Sequence, residues 1–262
     1  MWILPVVVLA LASAGASDDR PSSPLLAPGS SWQKVVGGLG FGEGPAWHPD
    51  GYLLFEDVAN NRTLKLDRAD QVSVFRETTD GANGLAFDAA RRLVACEGHA
   101  AGRGRRLVRI EKDGTLTVLA ERYGGKRLNS PNDLAIDRRG RIYFTDPRYS
   151  KREDLELDRE AVYRVDPDRT VARVIDSLTR MTLDADGRIW ATAGTKERAG
   201  IYVFTPDAKR STARLVSFVA IDEDPTNCTF GGAGRDVLYV TTTSSLYRMR
   251  TSVRGQKSPP GK

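Results

Sequence analysis

The feature that most constrains this chain is that it repeats itself. Five segments share one form: a polar residue, a short apolar run, a turn, then a second apolar run. They read EGPAWHPDGYLLFED from Glu43, NGLAFDAARRLVACE from Asn83, NDLAIDRRGRIYFTD from Asn132, TRMTLDADGRIWATA from Thr179 and NCTFGGAGRDVLYVT from Asn227. They start 40, 49, 47 and 48 residues apart. Each of the first four is followed by two more strand-like runs: RTLKLD and QVSVFR, RLVRIE and TLTVLA, AVYRVD and TVARVI, GIYVFT and RLVSFV. These runs alternate or are β-branched, and DG, DR and PD turn signals separate them. None sustains a helical period; only DLELDRE (154–160) reads as a short helical loop.

Four antiparallel strands per repeat of this length is the pattern of a β-propeller blade. The fold class is therefore all-β, a β-propeller of five four-stranded blades, with an open β-sandwich or separate hairpins as the competing reading. The last unit has only three strands of its own, ending in SLYRMR (245–250). The run WQKVV (32–36) precedes the first unit and has no place in it. It is expected to serve as the outer strand of the last blade, so that the two chain ends close the ring and no edge stays open.

Outside residues 32–250 the composition changes. WILPVVVLALA, from Trp2 to Ala12, followed by Ala14-Gly15-Ala16, reads as a signal peptide over residues 1–16 and implies a secreted or periplasmic protein. The run is too short for a membrane span, so no membrane association is expected after its removal. Residues 17–31 read as a flexible leader and residues 251–262 as a disordered tail. Hydrophobic residues are 40% and charged residues 28%, ordinary for a globular protein. The net charge of +5 comes from basic residues scattered among acidic ones. The cluster Arg103, Arg105, Arg106, Arg109 reads as a solvated hairpin, so nucleic acid is not an expected partner. Two Cys and two His exclude a disulfide scaffold and a multi-histidine metal site.

In a propeller the innermost strands line a central channel, so one position of each repeat falls on one ring. Here that position holds Glu43, Asn83, Asn132, Thr179 and Asn227. A carboxylate with several amide oxygens is a hard-oxygen set suited to Ca²⁺ or a similar divalent cation. The competing reading is that Asn recurs because it suits strand starts and turns. Glu43 favours the cation, because a carboxylate in an enclosed channel needs a counter-charge.

The segments Glu43-Gly44-Pro45-Ala46-Trp47, Ser130-Pro131-Asn132-Asp133-Leu134, Ile142-Tyr143-Phe144-Thr145-Asp146-Pro147 and Thr226-Asn227-Cys228-Thr229-Phe230-Gly231-Gly232 resemble the regucalcin/gluconolactonase (senescence marker protein-like) family of calcium-dependent lactonases. The resemblance covers about residues 32–250. It implies a six-bladed propeller with one axial divalent cation, Ca²⁺ or Zn²⁺, that hydrolyses sugar lactones and related cyclic esters. By position it implies Glu43 and Asn132 as metal ligands, with Asn83 and Asn227 as substrate-binding groups on the same ring. A small lactone or sugar acid is the implied partner, and a monomer the expected state.

The chain departs from the family at one point. Relatives carry a fourth blade beginning Pro-Asn-Gly and a fifth containing Asp-Gly-Met, which supply a metal-binding Asn and the general-base Asp. Here Ser177-Leu178-Thr179-Arg180 runs directly into Met181-Thr182-Leu183-Asp184, as though one blade were excised at Arg180/Met181. No catalytic base is assigned as a result. Asp184 and Asp186 belong to a hairpin turn, and alternation turns Asp133 away from Asn132. The alternative function is a non-catalytic propeller acting as a binding scaffold. His48 is expected in a surface turn and His99 displaced from any substrate role. Cys96 and Cys228 are expected as buried free thiols, and Trp47, Trp190, Tyr143 and Tyr239 as packing between blades.

Overall fold

A computed structural model of the chain describes residues 24–98, 104–137, 139–148, 152–175, 182–193, 199–207 and 212–256. After β1 (Gln33–Gly37), the first sheet is β2 (Gly42–His48), β3 (Tyr52–Asp57), β4 (Arg62–Leu66) and β5 (Val72–Glu77). The second is β6 (Ala82–Phe87), β7 (Leu93–Glu97), β8 (Arg106–Ile110) and β9 (Leu116–Ala120). A small hairpin of β10 (Arg122–Tyr123) and β11 (Lys126–Arg127) leads to the third: β12 (Leu134–Ile136), β13 (Ile142–Asp146), β14 (Ala161–Val165) and β15 (Val171–Ile175). The fourth is β16 (Thr182–Leu183), β17 (Ile189–Ala193), β18 (Gly200–Asp207) and β19 (Thr212–Ala220). The fifth is β20 (Pro225–Gly231), β21 (Val237–Thr242) and β22 (Ser245–Arg250), with β1 added antiparallel to β22. The five-bladed propeller and its closing N-terminal strand are thus as the repeat implied. The DLELDRE segment forms turns and bends, not a helix.

Side chains alternate across each strand, so one strand supplies two seams between blades. Leu53 and Phe55 of β3 join Tyr239 and Leu246 of the fifth sheet, while Leu54 joins Ala82, Leu85 and Val108 of the second. Val94, Cys96 and Leu107 meet Phe144 and Tyr163 of the third sheet. Trp190, Ile201 and Val203 of the fourth meet Phe230, Leu238 and Val240 of the fifth. Three of the four expected gap-fillers sit in these seams: Trp47 stacks on Tyr239 at 5.7 Å between ring centroids, and Trp190 meets Phe230 edge-on, whereas Tyr143 belongs to none of the buried clusters and lies under the Arg141 guanidinium. Among the described residues no buried apolar cluster joins the third and fourth sheets. Both cysteines are buried and free.

The outer strand of every sheet breaks register with its neighbour: at one equivalent place in four sheets, Thr63/Leu64, Leu107/Val108, Val162/Tyr163 and, in β1, Lys34/Val36, and two residues further on in the fourth, at Val203/Phe204. Such an irregularity increases local twist and spoils a flat edge for pairing with another chain. It matters here because β5 exposes Val72, Val74 and Phe75.

The first hairpin of the second, third and fourth sheets is closed by an aspartate. Asp88, Asp137 and Asp184 each accept the backbone N–H and the guanidinium Nε of an arginine four residues on. This confirms that Asp184 serves a turn. In the first sheet His48 takes the same place, its Nδ1 accepting the Asp50 N–H at 3.1 Å. His48 is not the surface residue expected: it is buried, stacked on Tyr52 at 4.4 Å and edge-on to Phe87, and burial lowers its pKa. The arginine cluster also differs from a solvated hairpin. Arg105 is buried and donates to the Leu128 carbonyl and to Asp154, Arg106 pairs with Glu97 and Asp80, and Arg109 pairs with Glu111.

The ends are docked further than their composition implied. Leu25 and Leu26 pack on the seam of the fourth and fifth sheets, and Ala27 N–H donates to the Arg250 carbonyl. On the other side, the Ala185 N–H donates to Arg254 and the Gly255 N–H to Arg235. Residues 251–255 thereby strap the first turn of the fourth sheet to the fifth.

Candidate functional site at the inner strand starts

At the point where the repeat places its polar residue the sheets touch in succession, the fourth through its second strand and the others through the starts of their inner strands. The Thr192 hydroxyl donates to the Thr226 carbonyl, and the Thr226 hydroxyl to the Gly42 carbonyl at 2.5 Å. Gly44 has φ +50°, and a Cβ there would stand 1.9 Å from the Asn83 carbonyl oxygen. Gly84 N–H donates to the Asn132 carbonyl at 2.6 Å, and a Cβ on Gly84 would stand 2.6 Å from the Asp133 Cα. Sheets four, five, one, two and three are therefore pressed together, in that order, beside Asn227, Glu43, Asn83 and Asn132.

Glu43 is fully buried, Asn132 and Asn227 nearly so, and Asn83 half-buried. The Asn227 side-chain oxygen accepts the Cys228 N–H at 2.7 Å. The Asn83 Oδ1 is buried and has no hydrogen-bond partner. The Asp133 Oδ1 accepts the N–H of Leu134, the next residue, at 2.9 Å. Burial and then the Asp133 charge push the thiol of Cys228, in the fifth sheet, up to about 12, and the same charge acts on Cys96 in the second. Thr179, Arg180, Met181 and His99 lie outside the described residues.

Behind this ring stands a set of buried acids that the sequence reading did not single out. Asp57 and Asp146 end the second strand of their sheets and accept the N–H groups of the loop leading into the inner strand. Asp57 takes Gly40 and Phe41, and Asp146 takes Asn129 and Ser130. These carboxylates fix the entry of Glu43 and Asn132 into the site. Burial pushes Asp146 up to about 7, opposed by the two N–H groups and by Arg105 and Arg148. Both guanidiniums converge on Asp154. In the fifth sheet the arrangement is reversed: Glu223, in the loop leading to β20, accepts from the Lys34 ammonium and from the hydroxyls of Thr242, Ser244 and Ser245. Burial opposes its ionisation, but these donors outweigh it and hold it well below the usual carboxylate range. The signal was present in the sequence as an acid closing FED, CE and FTD in the first three repeats.

Glu56, one residue before Asp57, is different. It is fully buried; Thr63 donates to its Oε1 at 2.6 Å, while its Oε2 has no hydrogen-bond partner. Burial pushes it up to about 8, against the pull of Thr63 and Arg76.

Carboxylate and amide oxygens in a water-excluded setting are the donors a hard divalent cation takes. Among the described residues no three His, Cys, Asp or Glu converge closely enough to hold a metal by themselves, so amide oxygens would have to complete the shell. The buried, unpartnered Asn83 oxygen fits that requirement.

The model of the SMP-30/gluconolactonase/LRE-like region matches residues 41–181 and 180–244, which is most of the chain. This chain belongs to that family. The match falls into two pieces that meet at residues 180 and 181, where the sequence suggests an excised blade. A gluconolactonase of Zymomonas mobilis subsp. mobilis is 24% identical over 198 residues, 66% of this chain and 54% of that protein. The chain thus spans about half the length of that relative. A gluconolactonase from Xanthomonas campestris shares the fold, with a TM-score of 0.74 and 25% identity over 92% of this chain and 99% of that one. A calcium-binding regucalcin from Agrobacterium tumefaciens superposes with a TM-score of 0.65 at 14% identity, over 88% of this chain and 97% of that one.

Proposed function

We propose that the chain hydrolyses a sugar lactone or related cyclic ester with the help of one divalent cation, Ca²⁺ by choice of ligands, after export through its N-terminal signal. The observation that carries this reading is Glu43, a fully buried carboxylate at the start of the first inner strand, pressed by Gly44 against Asn83. Glu43 and Asn132 would hold the cation, whose chemistry is to polarise the lactone carbonyl and to acidify a water. Asn83 and Asn227 would orient the ring hydroxyls, since amides offer both donor and acceptor. Asp57 and Asp146 keep the two ligand-bearing loops in place by accepting their backbone N–H groups. Asp133, which follows Asn132 directly and accepts the Leu134 N–H through Oδ1, is the carboxylate that would take the proton.

The two-piece family match at residues 180–181 favours one other reading, a propeller that binds but does not turn over its ligand. Proton release from glucono-δ-lactone separates the two. The lactonase reading expects hydrolysis that chelator abolishes and that Glu43→Gln lowers by about a hundredfold or more. Hydrolysis at background, with or without added Ca²⁺ or Zn²⁺, would leave the binding scaffold.

A further inference from the structure

The strand registers of the first sheet place four residues in one transverse row. Glu43 of β2 pairs with Glu56 of β3, Glu56 with Thr63 of β4, and Thr63 with Arg76 of β5. Directly opposed residues of antiparallel strands project to the same face, with Cβ atoms about 5 Å apart. The row therefore runs from the inner strand to the outer edge on one side of the sheet.

No other sheet is built this way at the same position. There the second strand carries Cys96, Thr145, Thr192 and Thr241. Their partners in the third strand are Leu107, Val162, Ile201 and Leu246, where the first sheet has Thr63. The outer partners of Leu107, Ile201 and Leu246 are Ala120, Val219 and Val36, where the first sheet has Arg76. The propeller repeat needs only small or aliphatic side chains here. Thr145 and Thr241 satisfy their hydroxyls on the backbone of their own inner strand, at Asp133 and Asn227. The carboxylate of Glu56 is therefore not a requirement of the fold.

It is also a costly group to keep ionised where it stands. The cation in its row, Arg76, is bonded to Glu97 of the second sheet at 2.7 Å. The next guanidinium, Arg106, is divided between Glu97 and Asp80. The Thr63 hydroxyl fixes Oε1 and leaves Oε2 buried without a partner. A second oxygen in the same condition, Asn83 Oδ1, belongs to the residue that Gly44 touches, next to Glu43. A buried acceptor left empty costs about 1–3 kcal/mol. Two of them, one on a buried cross-strand pair of glutamates and one on the residue whose backbone Gly44 touches, mark a place for a cation.

We propose that Glu56 is a direct ligand of the axial divalent cation, so that the first sheet contributes two carboxylates, Glu43 and Glu56, and the second sheet the Asn83 oxygen. This rests on the reading of the chain as a divalent-cation protein, and it identifies the donor that substitutes for those of the repeat absent at residues 180–181.

The test is calorimetric titration of the purified chain, stripped with chelator, with CaCl₂ and separately with ZnCl₂. Glu56→Gln, Glu56→Thr and Glu43→Gln are compared with the unchanged chain. Glu56→Thr installs the side chain found in three other sheets and guards against a variant that fails to fold. The expected result is one bound cation, with at least tenfold weaker affinity in both Glu56 variants. The cation-induced rise in melting temperature should vanish with it, while melting in chelator is equal to or above that of the unchanged chain. A purely structural Glu56 would lower melting in chelator and leave the cation-induced rise intact. Binding lost in Glu43→Gln but retained in both Glu56 variants overturns the assignment and leaves the lactonase reading standing. No cation bound by the unchanged chain overturns both.

Discussion

At Gly44 the backbone turns through φ +50° with the Asn83 carbonyl standing where a side chain would begin. That contact sets the spacing between the first and second inner strands, and so the distance from Glu43 to the Asn83 oxygen. Gly44→Ala puts a methyl group inside the carbonyl oxygen and asks an L residue for a left-handed conformation. Overpacking costs about 1–3 kcal/mol and the backbone about 1 more. The denaturant midpoint should fall accordingly, by roughly 2–4 kcal/mol of stability, and the affinity for a divalent cation should fall with it. A midpoint within experimental error of the unchanged chain would mean that the inner strands are not close-packed. Gly44 was legible in the sequence as part of the Glu-Gly-Pro motif, but its reason was not: a contact between residues 39 apart in the chain cannot be read from either one. His48 shows the same limit. Its turn position was legible; its burial against Tyr52 and Phe87 depends on which neighbours the fold supplies.

Among the elements, the second strand of each sheet does more than its apolar pattern shows. β3 and β13 end in carboxylates that hold the loop entering their own inner strand. The strands themselves were readable because alternation and turn residues are local properties. The row from Glu43 to Arg76 was not, because cross-strand register is set by irregularities at Gly44 and beyond Thr63 that leave no mark in a single strand. Asp146 makes a testable case. Its carboxyl is raised from the ordinary value to about 7 because it is buried. Between roughly pH 4 and pH 7 the folded state then holds a proton that the unfolded state has released, so this group's contribution to stability falls as pH rises through that window. At about 1.4 kcal/mol per pKa unit the loss is at most about 4 kcal/mol. Urea midpoints measured from pH 4.5 to 8 should decline with a slope that Asp146→Asn reduces. Equal slopes for the two proteins would place the Asp146 pKa near that of an exposed carboxylate. Asn129 and Ser130 donate to different oxygens of Asp146, so the variant keeps an acceptor for one of the two amides, as the neutral acid does, and the two proteins are compared from acid pH, where the native group is already neutral.

For the molecule as a whole, the order of the seams decides where stability resides. The apolar clusters run from the fourth sheet through the fifth, first and second to the third, one arc with the first sheet at its middle and the fourth–fifth seam at one end. The repeat made this ring legible, because each unit buries its two faces only against neighbours. What it could not convey is that both chain ends reinforce the same seam, Leu25 and Leu26 from one side and residues 251–255 from the other. β1 completes the fifth sheet, with Trp32 packed on the fourth–fifth seam and Val35 and Val36 on the fifth–first seam. Lys34 bonds Glu223, the carboxylate that organises the entry to β20. A chain begun at residue 38 therefore loses contacts in two seams at once and bares the edge of β22. Burying each large apolar side chain contributes about 1.5–3 kcal/mol, so the deficit is several kcal/mol. At about 2–4 °C per kcal/mol for a chain of this size, melting should fall by roughly 10 °C or more relative to a chain begun at residue 24. The exposed edge should also lead to concentration-dependent association, visible by light scattering. Equal melting temperatures for the two proteins would show that the ring holds without its closing strand, and that the arc of seams is sufficient by itself.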